Sequence, residues 1–204
     1  MEKKIFREWK SSIRATLNAI WKFRNLCKTP FDRGFIGELL VLDQLLMTYE
    51  SKLCASEDNT FVYEGSSNKK WDVSLTINKM TMYINAKATS TKDKDDNPKW
   101  VRQHALSFCH IDINPRTLRQ TVGKTRKEDP NLFYVFVDVG SWIEHRNTGF
   151  FTLPHKKAAQ IFCKKYHNLY NNKKKPRKSG STDFWVECGD IKGYKDNTLK
   201  RILK

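Results

Sequence analysis

The sequence predicts a mixed α/β fold, a central mixed sheet flanked by helices, with core elements in the order α-β-β-β-α-β. Three stretches carry that prediction. Residues 32–49 repeat apolar side chains at helical spacing, and residues 71–87 alternate apolar with polar. Leu132–Val139 is a nearly unbroken apolar run of buried-strand length.

In chain order, residues 3–26 form an amphipathic basic helix. Ile5, Trp9, Ile13, Leu17, Ile20 and Trp21 recur at helical spacing, opposite Lys3, Lys4, Arg7, Lys10, Arg14 and Lys22. Residues 1–30 are read as a basic helical extension ahead of one domain covering 31–204. The extension is either an extra helix packed on the core, a dimerisation element or an arm that touches a duplex. Glu2 and Glu8 argue against a mitochondrial presequence.

The second helix, 32–49, takes Asp32 as its cap and gathers Leu39, Leu42, Leu45, Leu46 and Tyr49 on one face. Glu38 falls inside that face. A buried carboxylate calls for a metal, a cation or a hydrogen-bond network, and an ordinary core pairing with Arg or Lys would also serve. Thr60–Glu64 follows as a strand.

Trp71, Val73, Leu75 and Ile77 then alternate with Asp72, Ser74 and Thr76, and Met80, Met82, Ile84 and Ala86 resume the series after Asn78-Lys79. A two-residue turn at 78–79 pairs Ile77 with Met80 and sets Asp72 opposite Asn85. Lys87, two residues on, shares the Asn85 face. An acid, an amide oxygen and an ammonium on one patch outline a metal-and-phosphate site. Polar residues on the solvated side of a hairpin are the plain alternative.

Beyond the hairpin, residues 89–99 are a polar loop, and Pro115–Lys127 is assigned a helix. Leu132–Val139 is the buried central strand. Phe150–Leu153 is another strand, and Pro154 opens a helix bearing Ala158, Ile161, Phe162, Tyr166 and Leu169. Lys173, Lys174, Lys175, Arg177 and Lys178 form a basic run suited to phosphates. Asp183–Cys188 returns as a strand, and Thr198–Leu203 as a short closing helix.

A formal charge of +16 over 204 residues points to a polyanionic partner, with nucleic acid the usual one. No apolar run approaches a membrane span. Five scattered cysteines without a Cys-x-x-Cys pair indicate neither a zinc site nor a disulfide framework, and fit a reducing cytoplasm. Gly123-Lys124-Thr125 lacks the upstream glycine of a phosphate-binding loop, since Leu118 stands there. His110-Ile111-Asp112 finds no partner histidine for a His-centred nuclease.

Glu38 on the first core helix, Asp72 on the second strand and Ile84-Asn85-Ala86-Lys87-Ala88 on the third resemble the PD-(D/E)XK, or restriction-endonuclease-like, nuclease superfamily. The resemblance covers roughly residues 32–140. It implies a restriction-endonuclease-like core and a Mg²⁺-dependent endonuclease, with Mn²⁺ as a substitute. Glu38, Asp72, Asn85 and Lys87 would be catalytic, and the metal would be held by Asp72, the Asn85 oxygen, the Ala86 carbonyl and Glu38. The substrate would be double-stranded DNA, cut by a small type II restriction-like homodimer.

Asn85 departs from the pattern, which has an acid before x-Lys. The chain is then an active natural variant, a natural loss of activity or a deliberate Asp→Asn inactivation. The alternatives are an inactive nuclease-fold DNA-binding protein, or a repair, junction or RNA nuclease with the same site.

Overall fold

The computed structural model describes residues 3–26, 30–64, 71–117, 120–127, 129–170 and 182–203. The basic run Lys173, Lys174, Lys175, Arg177 and Lys178 lies outside them. The first half contains α1 (Lys3–Lys22), α2 (Pro30–Leu53), β1 (Thr60–Tyr63), β2 (Val73–Ile77), β3 (Met80–Thr89) and β4 (Lys99–His104). The second contains β5 (Cys109–Ile113), β6 (Gln120–Thr125), β7 (Leu132–Asp138), α3 (Val139–His145), β8 (Phe150–Pro154), α4 (His155–Tyr170), β9 (Asp183–Glu187) and α5 (Cys188–Ile191).

The fold is mixed α/β. A central sheet runs β1-β2-β3-β7-β8, antiparallel throughout except for the parallel pair β3 and β7. Asn78 and Lys79 both take positive φ, 52° and 66°, and Ile77 pairs with Met80. The hairpin therefore turns where the period-2 pattern placed it, with the backbone twist that tight hairpins favour. All of β7 is buried, as expected of a central strand packed on both faces.

Alternation along the strands divides the core between the sheet's two faces. On one face, Met82, Ile84, Val135 and Val137 pack with Leu42, Leu45, Leu46 and Tyr49 of α2 and with Phe6, Ile13 and Leu17 of α1. On the other, Tyr134, Phe136, Phe151 and Leu153 pack with Phe162 and Tyr166 of α4 and with Trp100, Phe184 and Val186 of β4 and β9.

Several boundaries differ from the sequence reading. Helix α2 starts at Pro30, so Asp32 sits in its first turn instead of capping it. Proline suits a first turn because its missing N–H has no intrahelical partner there. Pro154 ends β8, and α4 begins at His155.

The helix assigned to Pro115–Lys127 is replaced by β6, which pairs antiparallel with β5. Val122 and Ile111 face each other across that pair, an arrangement that needs period two. The connection from β3 to its parallel neighbour β7 thus runs through β4, β5 and β6. Thr198–Leu203 ends in a 3₁₀ turn at Lys200–Leu203. Among the described residues no helix is long and apolar enough to cross a membrane.

Candidate functional site

Glu38 reaches the sheet because of its neighbour. Gly37 lies so close to β3 that an added β-carbon would stand 2.4 Å from Ala88 Cβ. That approach sets the next residue of α2 beside the start of β2. There Glu38 is half-buried, and Tyr63 of β1 donates its hydroxyl to Glu38 Oε2 at 2.5 Å. The carboxylate on the apolar face has the hydrogen-bond partner that its position called for.

Asp72 occupies the bend just before β2. Regular pairing stops at Val73 and Ile84, and the Asp72 N–H donates to Ile84 O at 2.8 Å. Past this point Asp72 Oδ2 accepts the Ala86 N–H at 2.6 Å, replacing the next rung of the ladder. A strand N–H points along the sheet plane, so this carboxylate lies at the sheet's edge, between its two faces.

Asn85 and Lys87 sit on either side of Ala86 and face the other way from α2. Both line a cleft of about 800 Å³ whose wall includes His110, Arg126, Lys127 and Tyr134. The expected single patch is therefore a junction. Asn85 and Lys87 approach from the cleft, Asp72 from the edge, and Glu38 from the helix side.

The electrostatics tie three of the four together. Burial pushes Glu38 upward; the Tyr63 hydrogen bond opposes this, Asp72 adds to it and Lys87 offsets it. Burial likewise raises Asp72, against the pull of the Ala86 N–H and Lys87. Burial lowers Lys87, which Asp72 and then Glu38 hold up. Two carboxylates facing one ammonium leave an excess negative charge in a poorly solvated place, which favours a cation.

The donor set fits a hard divalent ion. The candidate donors are all oxygens: two carboxylates, a backbone carbonyl and the buried side-chain oxygen of Asn85. It is one charge short of three acids. Among the described residues no group of three or more His, Cys, Asp or Glu is assembled for a metal.

Sequence reasoning missed Tyr63, whose alternation along β1 gave no sign of its target. It also missed Tyr134, opposite Asn85 in the β3–β7 register and pushed up to about 12, first by burial. His104 of β4 also lines the cleft and pairs with Asp183 at 2.7 Å. The loop after Lys87 is a compact turn in which Asp93 Oδ1 accepts the N–H groups of Asp95 and Asn97.

No family model and no curated protein matches the chain. Among solved structures it is similar to a bacterial homing endonuclease, at 12% identity and a TM-score of 0.38, covering 75% of this chain and 88% of that one.

Proposed function

We propose that this chain is a Mg²⁺-dependent endonuclease that hydrolyses phosphodiester bonds of double-stranded DNA, on a restriction-endonuclease-like core of the PD-(D/E)XK kind. One observation carries the reading. The Asp72 carboxylate is fixed on the Ala86 N–H, between Asn85 and Lys87, where Lys87 acts on it and it acts in turn on Glu38.

Asp72, the Asn85 oxygen, the Ala86 carbonyl and Glu38 would hold a divalent cation, Mg²⁺ or Mn²⁺, which when bound would supply Lewis acidity at a phosphoryl oxygen. Lys87 orients the attacking water and offsets charge that builds on the phosphorus oxygens. Tyr63 keeps Glu38 aimed at the junction. Water attacks phosphorus directly, one P–O ester bond breaks, and no covalent enzyme intermediate forms.

Arg126 and Lys127 on the cleft wall, with a chain charge of +16, draw the phosphate backbone in. The run Lys173, Lys174, Lys175, Arg177 and Lys178 adds phosphate contacts. Cutting both strands takes two such sites, so the working form we propose is a homodimer of restriction type.

Plasmid DNA incubated with Mg²⁺ should be cut, and Lys87→Ala should slow cutting by about 10²–10³-fold while leaving binding nearly intact. Intact plasmid with wild type under Mg²⁺ and under Mn²⁺ would sink the enzymatic reading. The second reading, a DNA-binding protein without cleavage, is favoured by one residue: Asn85 brings no charge where a third carboxylate would.

A further inference from the structure

The β5–β6 hairpin stands apart from the central sheet. Among the described residues its strands pair only with each other, and most of their residues are exposed. Its inner side is anchored. Ile111 and Val122 pack on the cluster around Phe108 and Phe162, Cys163 Sγ donates to Gly123 O at 3.7 Å, and Tyr166 of α4 donates to Gln120 Oε1 at 2.5 Å. Its outer side carries His110, Asp112 and Thr121, all exposed, with Asp112 and Thr121 directly paired. The register shifts at His110, between Cys109 and Ile111. A bulge of this kind re-aims a side chain and bends the ribbon.

That outer side is continuous with the candidate site, because His110 and Arg126 line the same cleft as Lys87. Among the described residues from 109 to 127, Arg116, Lys124, Arg126 and Lys127 stand against a single acid, Asp112.

We propose that this hairpin is a two-stranded reading ribbon that enters the major groove of duplex DNA, with His110, Asp112 and Thr121 on base edges and Arg116 and Lys124 on the flanking phosphates. The proposal rests on the nuclease reading for its substrate and adds where sequence is read. A two-stranded ribbon matches the major groove, about 12 Å wide, where each base pair shows a distinct donor and acceptor pattern. His, Asp and Thr offer donors and acceptors for such edges, while charge complementarity selects a phosphate polymer. Single strands are usually gripped by stacking on aromatic rings. Residues 109–127 contain no Phe, Tyr or Trp, so the occupant is a duplex.

The test is binding, so it is separable from cleavage. On the Lys87→Ala background, a random duplex library is selected with Mg²⁺ present. The parent should enrich a defined sequence, and the added changes His110→Ala, Asp112→Ala and Thr121→Ala should erase the enrichment while keeping salt-sensitive binding. Arg116→Gln with Lys124→Gln should weaken all duplexes alike and reduce the salt slope by about two.

Methylation protection on the enriched duplex with the parent protein alone, which needs no further variant to fold, should cover guanine N7 in the major groove. The ribbon assignment falls if the triple variant enriches the same sequence, if the parent enriches none, or if N7 stays unprotected. A protein that selects duplexes in this way yet never cuts them would overturn the nuclease and keep the ribbon.

Discussion

Gly37 of α2 packs directly on Ala88 of β3, with room for hydrogen but not for a methyl group. A β-carbon on Gly37 would lie 2.4 Å from Ala88 Cβ and 3.4 Å from its Cα. These are backbone-borne atoms that cannot swing aside. The contact sits one residue from Glu38 and one from Lys87, so the helix-to-strand spacing is also the spacing of the site.

Gly37→Ala should therefore cost about 1–3 kcal/mol of stability through overpacking, despite the better helix propensity of alanine. It should also lower cleavage beyond what the lost stability explains, because Glu38 retreats with the helix. Adding Ala88→Gly should return much of both. Thermal melting and cleavage rates on the four proteins of this cycle check the coupling, and additive effects would separate the packing from the site.

Tyr63→Phe isolates the hydroxyl that holds Glu38. The Tyr63 hydrogen bond lowers the Glu38 pKa against burial, so removing it should raise that pKa further. Glu38 would then stay protonated to higher pH, and the acid limb of the pH–rate profile should move upward. A hydrogen bond to a charged group contributes about 1.5–3 kcal/mol, which bounds the loss of stability. An unmoved acid limb would mean that Glu38 does not act in its ionised form.

The site was legible where side-chain period alone fixes placement. Asn85 and Lys87 share the cleft face because residues two apart on a strand must, and the turn at 78–79 follows from the break in alternation. Glu38 stood out as a charge among leucines. What period could not give was the bend at Asp72. Its carboxylate replaces a ladder rung by bonding the Ala86 N–H, a choice set by where β2 ends and not by any local pattern.

The β5–β6 ribbon was misread for a related reason. Its exposed side holds polar residues at every spacing, and only Ile111 and Val122, eleven residues apart in sequence, reveal the pairing. Such a partnership is visible only once the chain has folded back.

Burial makes the Glu38 and Asp72 carboxylates costly to the folded chain. Glu38 lies above its ordinary 4.5 and Asp72 above its ordinary 3.8. Between ordinary and raised values the folded chain holds a proton that the unfolded chain has released, so stability falls as pH climbs through that window. Lys87, lowered from 10.5, acts oppositely at alkaline pH: the unfolded chain binds more protons there, so stability rises as pH approaches 10.5.

With chelator present, Glu38→Gln should melt at a higher temperature than wild type near neutral pH. The difference should shrink as pH drops towards 4.5. The same variant should lose cleavage, the trade expected when a functional group is held where it is poorly solvated. Melting curves at several pH values decide it; a variant less stable than wild type at neutral pH would show that Glu38 is well compensated without metal.

Asn85→Asp gives the most direct readout of what the cleft holds. The substitution keeps size and oxygen position while adding the charge that completes three acids around Lys87. Affinity for hard divalent ions rises with ligand charge, so Mn²⁺ titrated by calorimetry should bind at least about tenfold tighter. The added carboxylate should also hold the Lys87 ammonium charged to higher pH. If wild type cuts DNA slowly and Asn85→Asp cuts faster, the amide is a weak but working ligand. If only Asn85→Asp cuts, the natural chain binds without cleaving. Mn²⁺ affinity unchanged by the substitution would remove position 85 from the coordination sphere and leave Asp72 and Glu38 as the charged ligands of any bound cation.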